Sequence, residues 1–235
     1  MDLKEYPEEL KTVCRSRLFD QMDEGTALML LTKLRPRRVP LEKGDVFLRD
    51  GQNVWYVALV AQGRLTASKL FQDGHESLLC HFEPSYMVGI DIVTTKTCRS
   101  TYYVTALTDA VIYVFRYEKL RKKGFVPERE RLVMMENILA LIAGENLRRM
   151  NQIEVLASKS VRERILTYLS IRAGFVGSRE FDIPFNREEW AAYLGVNRSR
   201  LSGELGRMRQ EGLIEIRKNH VRLLDVPLYR LDTLK

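Results

Sequence analysis

Residues 186–224, NREEWAAYLGVNRSRLSGELGRMRQEGLIEIRKNHVRLL, carry arginine and serine side chains on one face of a predicted helix. An arginine guanidinium can pair with the edge of a guanine or with a phosphate, and a serine hydroxyl can bind either group. Arg198, Ser199 and Ser202 lie at helical spacing, and no large apolar residue shares their face. This pattern predicts a surface that reads double-stranded DNA in the major groove.

Two short helices joined by a turn must position these side chains. Asn186 and Glu189 have the spacing of a capping box, and Asn197 can cap the second helix. Gly195 supplies the left-handed residue that ends the first helix. The residues that repeat at helical spacing and predict the core are Trp190, Ala191, Leu194, Leu201, Leu205 and Met208.

An alternating pattern after Gly212 predicts a small β-hairpin. Apolar and polar residues alternate on both sides of Lys218 and Asn219, which suits a wing beside the two helices. A helical hairpin within another fold is the alternative interpretation. We favour a winged helix-turn-helix, because the caps, the turn, the core spacing, the wing and the basic face all agree.

The distribution of charge supports the same interpretation. The 235-residue chain has a net charge of +7, and residues 157–235 contain 15 Lys/Arg against 10 Asp/Glu, which places +5 of that charge there. Phosphate binding requires positive charge at this place. The sequence has three histidines and lacks a phosphate-cradling glycine loop, a His-Glu metal pattern and a nucleophile elbow. We therefore expect no catalytic residues, no metal site and no enzymatic activity.

The compartment can also be predicted. The first ten residues, MDLKEYPEEL, lack the apolar centre of a signal peptide, and no apolar run is long enough to span a membrane. Cys14, Cys80 and Cys98 are dispersed and odd in number, which is typical of a reducing compartment. We expect a cytoplasmic protein.

Residues 1–126 predict a helical start and then an antiparallel β-roll. The start is residues 1–34, with Leu28, Leu31 and Leu34 on one face. From residue 39 to residue 115, strand-like runs are separated by glycines, which indicates a barrel or roll, and residues 72–75, QDGH, predict a hairpin turn. The runs are VFLR, VWYVALVA, RLTASKL, SLLCHF, TYYVTAL and AVIYVF.

A long helix is predicted between the roll and the DNA-reading segment. It covers residues 127–156, and its apolar residues at 3-4 spacing predict a two-stranded coiled coil. Burial of this helix against its own domain is the alternative. The predicted dimerisation residues are Leu132, Met135, Leu139 and Ile142. A further helix is predicted from Val161 to Ile171, so the domains are residues 1–126, 127–156 and 157–235.

This order of elements resembles the CRP/FNR family of bacterial transcription regulators, which includes the cyclic-AMP receptor protein. The resemblance rests on KGDVFLRDGQ, VALVAQGRLTASK and QDGHESLLCHFEPSYMVGID in the roll, and on NREEWAAYLGVNRSRLSGELGRMRQEGLIE at the DNA-reading end. It implies an α+β fold with a cyclic-nucleotide-binding-like roll, a dimerisation helix and a winged helix-turn-helix. It also implies a homodimer on a two-fold symmetric operator, RNA polymerase as a partner, and a small effector sensed in the roll.

The resemblance assigns roles to residues of the recognition helix. Those that open the helix would read base edges: Arg198, Ser199, Ser202 and Gly203. Those better placed to bind phosphates are Arg200, Arg207, Lys218 and Arg187. Ser199 and Gly203 stand where the best-known members carry a glutamate and an arginine. The operator should therefore differ from the one that the cyclic-AMP receptor protein binds.

The identity of the effector is open at this point. The family's nucleotide pocket uses a Gly-Glu pair and an Arg-Ser pair, and this chain has Gly89-Ile90 and Arg99-Ser100. An isoleucine cannot accept the ribose hydrogen bond, and Asp91 is expected to point to the other face of a strand. We therefore favour an unidentified small organic molecule over a cyclic nucleotide. The candidate effector-binding residues are Tyr86, Met87, Gly89, Ile90, Asp91, Arg99, Ser100 and Thr101.

The histidines and cysteines raise three other sensing chemistries. Heme is an alternative because His75, Cys80 and His81 fall within one predicted hairpin. An iron–sulfur cluster needs four thiolates, and the chain has three dispersed cysteines. A thiol switch could use Cys14, which is expected in a flexible N-terminal segment and could pair between subunits. No cofactor is predicted.

Overall fold

The computed structural model describes residues 5–71 and 76–224. The chain divides into two units, Met1–Ala143 and Gly144–Lys235. The boundary falls within the long linking helix, so each unit contains one part of that helix.

The N-terminal unit begins with short helices, as its sequence predicts. They are α1 (Pro7–Cys14), a 3₁₀ turn (Arg17–Phe19) and α2 (Glu24–Leu34). The Asp23 carboxylate caps α2 by accepting a hydrogen bond from the Thr26 amide at 2.9 Å. Leu31 and Leu34 are buried as predicted. Leu28 is 40% exposed, and Ala27 takes its place on the buried face.

The roll consists of two four-stranded antiparallel sheets, which confirms the predicted fold class. Their strand orders are β1-β8-β3-β6 and β2-β7-β4-β5. The strands are β1 (Arg37–Leu41), β2 (Val46–Leu48), β3 (Tyr56–Gln62), β4 (Leu65–Leu70), β5 (Glu76–Phe82), β6 (Met87–Val88), β7 (Tyr103–Ala106) and β8 (Ala110–Arg116). Two short helices, α3 (Ile90–Val93) and α4 (Glu118–Arg121), complete the unit.

Each predicted strand-like run contains one of these strands. The predicted hairpin turn at residues 72–75 lies outside the described residues, but β4 and β5 on either side of it pair in antiparallel register. Strand β3 lies between β8 and β6, and Val57, Leu59 and Val60 have no exposed area. Both faces of this strand are therefore packed, which explains its continuous apolar sequence.

Helix α5 (Glu128–Ala157) confirms the predicted linking helix. One face of its first half packs on the N-terminal unit, where Met134 and Ile138 are buried. On the same face, the Asn137 side-chain amide donates hydrogen bonds to the carbonyls of Leu18 at 3.1 Å and Asp20 at 2.8 Å. These contacts fix how the helix is rotated against its own roll.

The four predicted dimerisation residues therefore fall on two faces of α5. Leu132 and Leu139 are 51% and 68% exposed. Met135 and Ile142 pack partly against the core of the N-terminal unit. That these four residues form one seam stays a prediction, and Leu132 and Leu139 are its exposed members.

The C-terminal unit is a winged helix-turn-helix with one strand more than predicted. It contains α6 (Val161–Val176), β9 (Glu180–Asp182), α7 (Arg187–Tyr193), α8 (Arg198–Gln210), β10 (Ile214–Arg217) and β11 (His220–Leu223). The wing sheet has the order β10-β11-β9. Helix α6 runs to Val176, beyond the predicted end at Ile171, and Gly177 ends it with φ +69°. No helix in the described part of the chain has the length and apolar character needed to span a membrane.

Candidate nucleic-acid interface

The turn between α7 and α8 has the predicted geometry. The Asn186 side chain accepts hydrogen bonds from the amides of Glu188 and Glu189, and the Glu189 carboxylate accepts one from the Asn186 amide at 2.8 Å. The Asn197 side chain accepts a hydrogen bond from the Arg200 amide at 2.8 Å. Gly195 adopts φ +64° between them. Two caps and one left-handed residue thus set the angle of α8.

Helix α8 has one buried face and one polar, exposed face. Leu201, Leu205 and Met208 are buried in the core of the C-terminal unit together with Trp190. The predicted DNA-contacting residues of this helix are all exposed: Arg198, Ser199, Arg200, Ser202, Gly203 and Arg207. The helix therefore presents a continuous polar surface that is large enough to enter a major groove.

The two predicted base-reading residues in the first turn of α8 make different contacts. The Arg198 side chain is 66% exposed and lies 3.6 Å from the Glu188 carboxylate. An exposed ion pair of this kind is weak, so the guanidinium can exchange it for a nucleic-acid contact. The Ser199 hydroxyl instead donates a hydrogen bond to the Asn197 side chain at 2.9 Å, so it supports the helix cap.

The two predicted phosphate-binding residues outside α8 also differ. Lys218 is exposed at the tip of the wing, where it adopts φ +53°. The Arg187 guanidinium donates a hydrogen bond to the Lys218 carbonyl at 3.0 Å and lies 5.5 Å from the centre of the Trp190 ring. Burial lowers the pKa of Arg187. This side chain joins α7 to the wing, so Lys218 is the better placed of the two for a phosphate.

A cleft beside α8 contains four residues that were not predicted to bind DNA. It has a volume of about 240 Å³ and is lined by Ser160, Val161, Arg162, Arg200, Glu204 and Arg207. Ser160 caps α6 in a capping box with Glu163, so the first turn of that helix borders the cleft. A helix N-terminus next to two arginines suits a phosphate. The Ser-x-x-Glu spacing at residues 160–163 is the sequence signal that could have found this position.

An ion-pair network holds α6 against α8. The Arg162 guanidinium donates hydrogen bonds to Glu204 at 2.6 Å and to both carboxylate oxygens of Glu211 at 2.8 Å. The first of these contacts matters most, because the Glu204 side chain is only 10% exposed. The Arg162 guanidinium also lowers the pKa of Glu211. The cleft and the recognition helix therefore keep a fixed relation within this unit.

The wing contains a histidine between two carboxylates. His220 Nε2 lies 2.9 Å from the Glu180 carboxylate and Nδ1 lies 2.9 Å from that of Asp182, so the protonated ring joins β11 to β9 at both nitrogens. Hydrogen bonds to Glu180 and Asp182 raise the pKa of His220. Arg222, which lies 4.0 Å from the other oxygen of Glu180, is the nearby cation.

We expect the wing to be most stable when His220 is protonated. Because the folded-state pKa of His220 is raised, its contribution is fully present below the unfolded value of about 6.5 and is lost as the pH rises through the folded value. An NMR titration of the His220 ring should therefore have a midpoint above about 6.5. The protection factors of the β9 amides against hydrogen exchange should decrease as the pH rises through the folded-state pKa of His220. This decrease should be absent in His220→Gln. A midpoint at or below the unfolded value would contradict the assignment.

The polar groups of the predicted effector-binding residues form hydrogen bonds with other residues of the N-terminal unit. The Arg99 guanidinium donates a hydrogen bond to the Gly51 carbonyl at 2.9 Å, and the Ser100 hydroxyl donates one to the Tyr102 carbonyl at 2.7 Å. Lys69 donates a hydrogen bond to the Thr101 carbonyl at 2.7 Å. Met87 and Ile90 are buried, and Tyr86 is 45% exposed. The Ser100 hydroxyl is thus engaged by the protein, whereas Arg99 is exposed and its Nε donates the hydrogen bond to Gly51.

Asp91 was expected to lie on a strand, and this expectation was wrong. Residues after Gly89 form helix α3 and not a strand, so alternation of faces does not apply. Both oxygens of the Asp91 carboxylate accept the Tyr102 hydroxyl, at 2.8 and 2.9 Å. Gly89 allows this turn with φ +85°. The Asp91 carboxylate is therefore held by the Tyr102 hydroxyl.

The three cysteines lie in different segments of the N-terminal unit. Cys14 is buried in α1, and burial raises its pKa to about 11, which opposes formation of the reactive thiolate. The expectation of a flexible segment around Cys14 was therefore wrong. Cys80 is exposed and His81 is half-buried on β5, while His75 lies outside the described residues. In residues 5–71 and 76–224, no three His, Cys, Asp or Glu side chains are grouped as a metal site.

Comparison with known proteins agrees with this architecture. Residues 38–123 match the family model of the cyclic nucleotide-binding domain, and residues 163–228 match that of the Crp-like helix-turn-helix domain. The transcriptional activator protein FnrA of Stutzerimonas stutzeri is 29% identical over 193 residues, which cover 79% of this chain and 76% of that protein. The transcriptional activator protein anr of Pseudomonas aeruginosa is 28% identical over 201 residues, which cover 83% and 80%.

The fold is also shared with a solved structure. CprK in complex with OCPA superposes with a TM-score of 0.60 at 16% identity, over 84% of this chain and 91% of that one. A roll followed by a long helix and a winged helix-turn-helix defines a transcription regulator with an effector-binding domain and a DNA-binding domain. The chain belongs to the CRP/FNR family of transcription regulators.

Proposed function

We propose that the protein is a homodimer that binds a two-fold symmetric operator, and that a small molecule bound in the N-terminal unit changes its affinity for DNA. The observation that carries this proposal is the polar face of α8, which is exposed above a buried apolar face and beside the N-terminus of α6. The cytoplasm as its compartment and RNA polymerase as its partner are parts of the same proposal.

Recognition of the operator would divide between base edges and phosphates. Arg198 at the start of α8 can pair with O6 and N7 of a guanine, with Ser202 and Gly203 one turn further along the same face. Arg200 and Arg207 border the cleft at the start of α6, which suits one phosphate, and Lys218 on the wing suits another. Ser199 would act through the cap of α8.

Dimerisation would use the face of α5 that is exposed. Eight residues of this helix follow one another at alternating spacings of four and three, and each of them is exposed: Leu132, Glu136, Leu139, Ala143, Asn146, Met150, Ile153 and Ala157. This set is named the α5 seam here. A stripe with this spacing packs against an equivalent stripe in a two-stranded coiled coil. Leu132 and Leu139 of the predicted dimerisation residues belong to it.

Selection of bound fragments from genomic DNA by the purified protein would test this function. We expect enrichment of a two-fold symmetric sequence whose half-sites lie about one helical turn apart, because two copies of α8 must enter successive major grooves. The selection is repeated with cell extract added, which supplies any effector that binding requires. No enriched sequence in either selection would overturn the proposal.

Replacement of Arg198 tests the assignment of base reading. We expect Arg198→Ala to lower affinity for the selected operator by about 1–3 kcal/mol and to relax the preference at one base position of each half-site. The measurement is a binding titration against a library in which each operator position is varied.

Arg200→Gln is the matched control for this variant. It removes a phosphate contact, so affinity should fall for every sequence, and the slope of log affinity against log salt should decrease by about one. The base preference should stay as in the unchanged protein. An unaltered preference in Arg198→Ala would exclude that residue from the readout.

A further inference from the structure

A cleft opens between the two sheets of the roll, and its lining includes none of the residues predicted to bind the effector. It has a volume of about 600 Å³, within the range of small-molecule sites. We name it the Phe47–Tyr56 cleft. Its lining residues are Arg37, Val39, Leu41, Val46, Phe47, Tyr56, Val114, Phe115 and Arg116.

The walls of the Phe47–Tyr56 cleft are apolar and only partly covered by protein. Val39, Leu41 and Val114 are half-buried on one sheet, and Val46 on the other sheet is 38% exposed. The Phe47 ring, from that second sheet, lies 5.7 Å from the Tyr56 ring at an angle of 60°. An apolar or aromatic body inserted here would remove these side chains from water, which is favourable in proportion to the area covered.

Two arginines and a phenol stand at the mouth of the cleft. In the sheet register, Arg37 is opposite Val114 and Tyr56 is opposite Arg116. Directly opposed residues share a face, and so do residues two apart on a strand, so all three polar side chains lie on one face. Burial raises the pKa of Tyr56, and the positive charge of Arg37 opposes this shift.

The hydrogen-bond donors at the mouth of the cleft can bind an anion. The Tyr56 hydroxyl oxygen accepts a hydrogen bond from the Gln52 side-chain amide at 3.0 Å, which leaves the phenolic proton able to donate outwards. Arg38 on the other face of the strand is paired with Glu9 at 2.7 Å. Among the described residues, neither Arg37 nor Arg116 has such a carboxylate partner. Two guanidiniums that have no carboxylate partner in the described part of the chain, beside an apolar cleft, match a carboxylate on an apolar body.

We propose that the Phe47–Tyr56 cleft binds a small organic acid with an aromatic or aliphatic body. The carboxylate accepts hydrogen bonds from Arg37, Arg116 and Tyr56, and the apolar body lies between Phe47 and the opposite sheet. The role of this acid as the effector rests on the proposed function. Binding to the cleft is independent of DNA.

Calorimetric titration of the full chain tests the site directly. The probes are benzoate, 4-phenylbutyrate and octanoate, with 4-phenylbutyramide as the uncharged analogue of the second. We expect at least one acid to bind. The affinity of the amide should be lower than that of its acid by about tenfold or more, because the amide offers no charge to the arginines. Arg37→Gln/Arg116→Gln should reduce binding of the acid by about tenfold or more.

Two further variants separate the cleft from the rest of the surface. Phe47→Trp keeps both arginines but fills the cleft. It should therefore reduce binding of 4-phenylbutyrate more than binding of the smaller benzoate. Arg129→Gln, an exposed arginine at the start of α5, should leave binding unchanged. The absence of binding by all three acids, or full binding by the double arginine variant, would overturn the proposal.

Operator affinity measured with and without the bound acid then tests the role as effector. A change that disappears in Arg37→Gln/Arg116→Gln supports it. If the acid binds but operator affinity does not change, the role as effector is overturned, while the binding site itself still stands. Failure to select any operator concerns the proposed function and does not alter the calorimetric result.

Discussion

Leu139→Asp should convert the protein from a dimer into a monomer of 27.4 kDa. Leu139 is 68% exposed and occupies the α5 seam, where it would meet its equivalent in a second copy. An uncompensated charge buried at such a position costs about 3–5 kcal/mol, and the symmetric dimer would contain it twice. Sedimentation velocity should show a single monomeric species at concentrations where the unchanged protein is dimeric.

Loss of the dimer should also weaken binding to the operator. A monomer engages one half-site, so affinity for the full operator should fall by about a hundredfold or more, since the second half-site no longer binds as part of the same molecule. Ile153→Asp, at another exposed position of the α5 seam, should have the same two effects. Helix content measured by circular dichroism should be unchanged in both variants.

A charge elsewhere on α5 is the control. Gln152→Asp introduces the same side chain next to the α5 seam but outside it, on the half-buried flank of the helix. It should leave both the sedimentation coefficient and the operator affinity unchanged. If Leu139→Asp and Ile153→Asp sediment as dimers, the α5 seam is not the dimer interface.

The DNA-binding unit could be predicted from the sequence because its signals are local. Asn186 with Glu189, and Asn197 with the following amides, are caps whose partners lie within three residues. Gly195 and Gly212 mark left-handed positions that few other residues adopt. The core spacing of α8 then follows from a helix of known start and end.

The dimerisation helix shows where such local reasoning stops. Apolar residues of α5 occupy more than one face, since Met134 and Ile138 are buried while Leu139 and Ile153 are exposed. Periodicity alone cannot tell which of these faces the roll of the same chain covers. That choice is made by distant contacts, such as the hydrogen bonds from Asn137 to the carbonyls of Leu18 and Asp20.

Short elements in the roll were missed for a related reason. Strand β1 has the sequence RRVPL, in which two arginines and a proline obscure alternation. It pairs with β8, whose residues lie about 70 positions further along the chain. Helix α3 has four residues, which is too short for helical periodicity to appear. The Phe47–Tyr56 cleft, to which β1 contributes Arg37, Val39 and Leu41, could therefore not be predicted.

Gly63→Ala should be among the most destabilising single changes in the N-terminal unit. Gly63 links β3 to β4 and adopts φ +76°, where an alanine costs about 1–2 kcal/mol. A Cβ at this place would also overlap the Asp109 carbonyl and lie 2.7 Å from the Ala110 Cα, both of them backbone atoms of the neighbouring segment. Overpacking of this kind adds about 1–3 kcal/mol.

Gly124→Ala separates the two contributions. Gly124 adopts φ +75°, but a Cβ there would meet no atom within 4 Å, so this variant has only the cost of conformation. Thermal unfolding of the full chain should therefore show a larger decrease in Tm for Gly63→Ala than for Gly124→Ala, at about 2–4 °C for each kcal/mol. Equal decreases would mean that β8 moves away from Gly63 without cost. The close approach between the β3–β4 turn and the start of β8 would then contribute nothing to the stability of the roll.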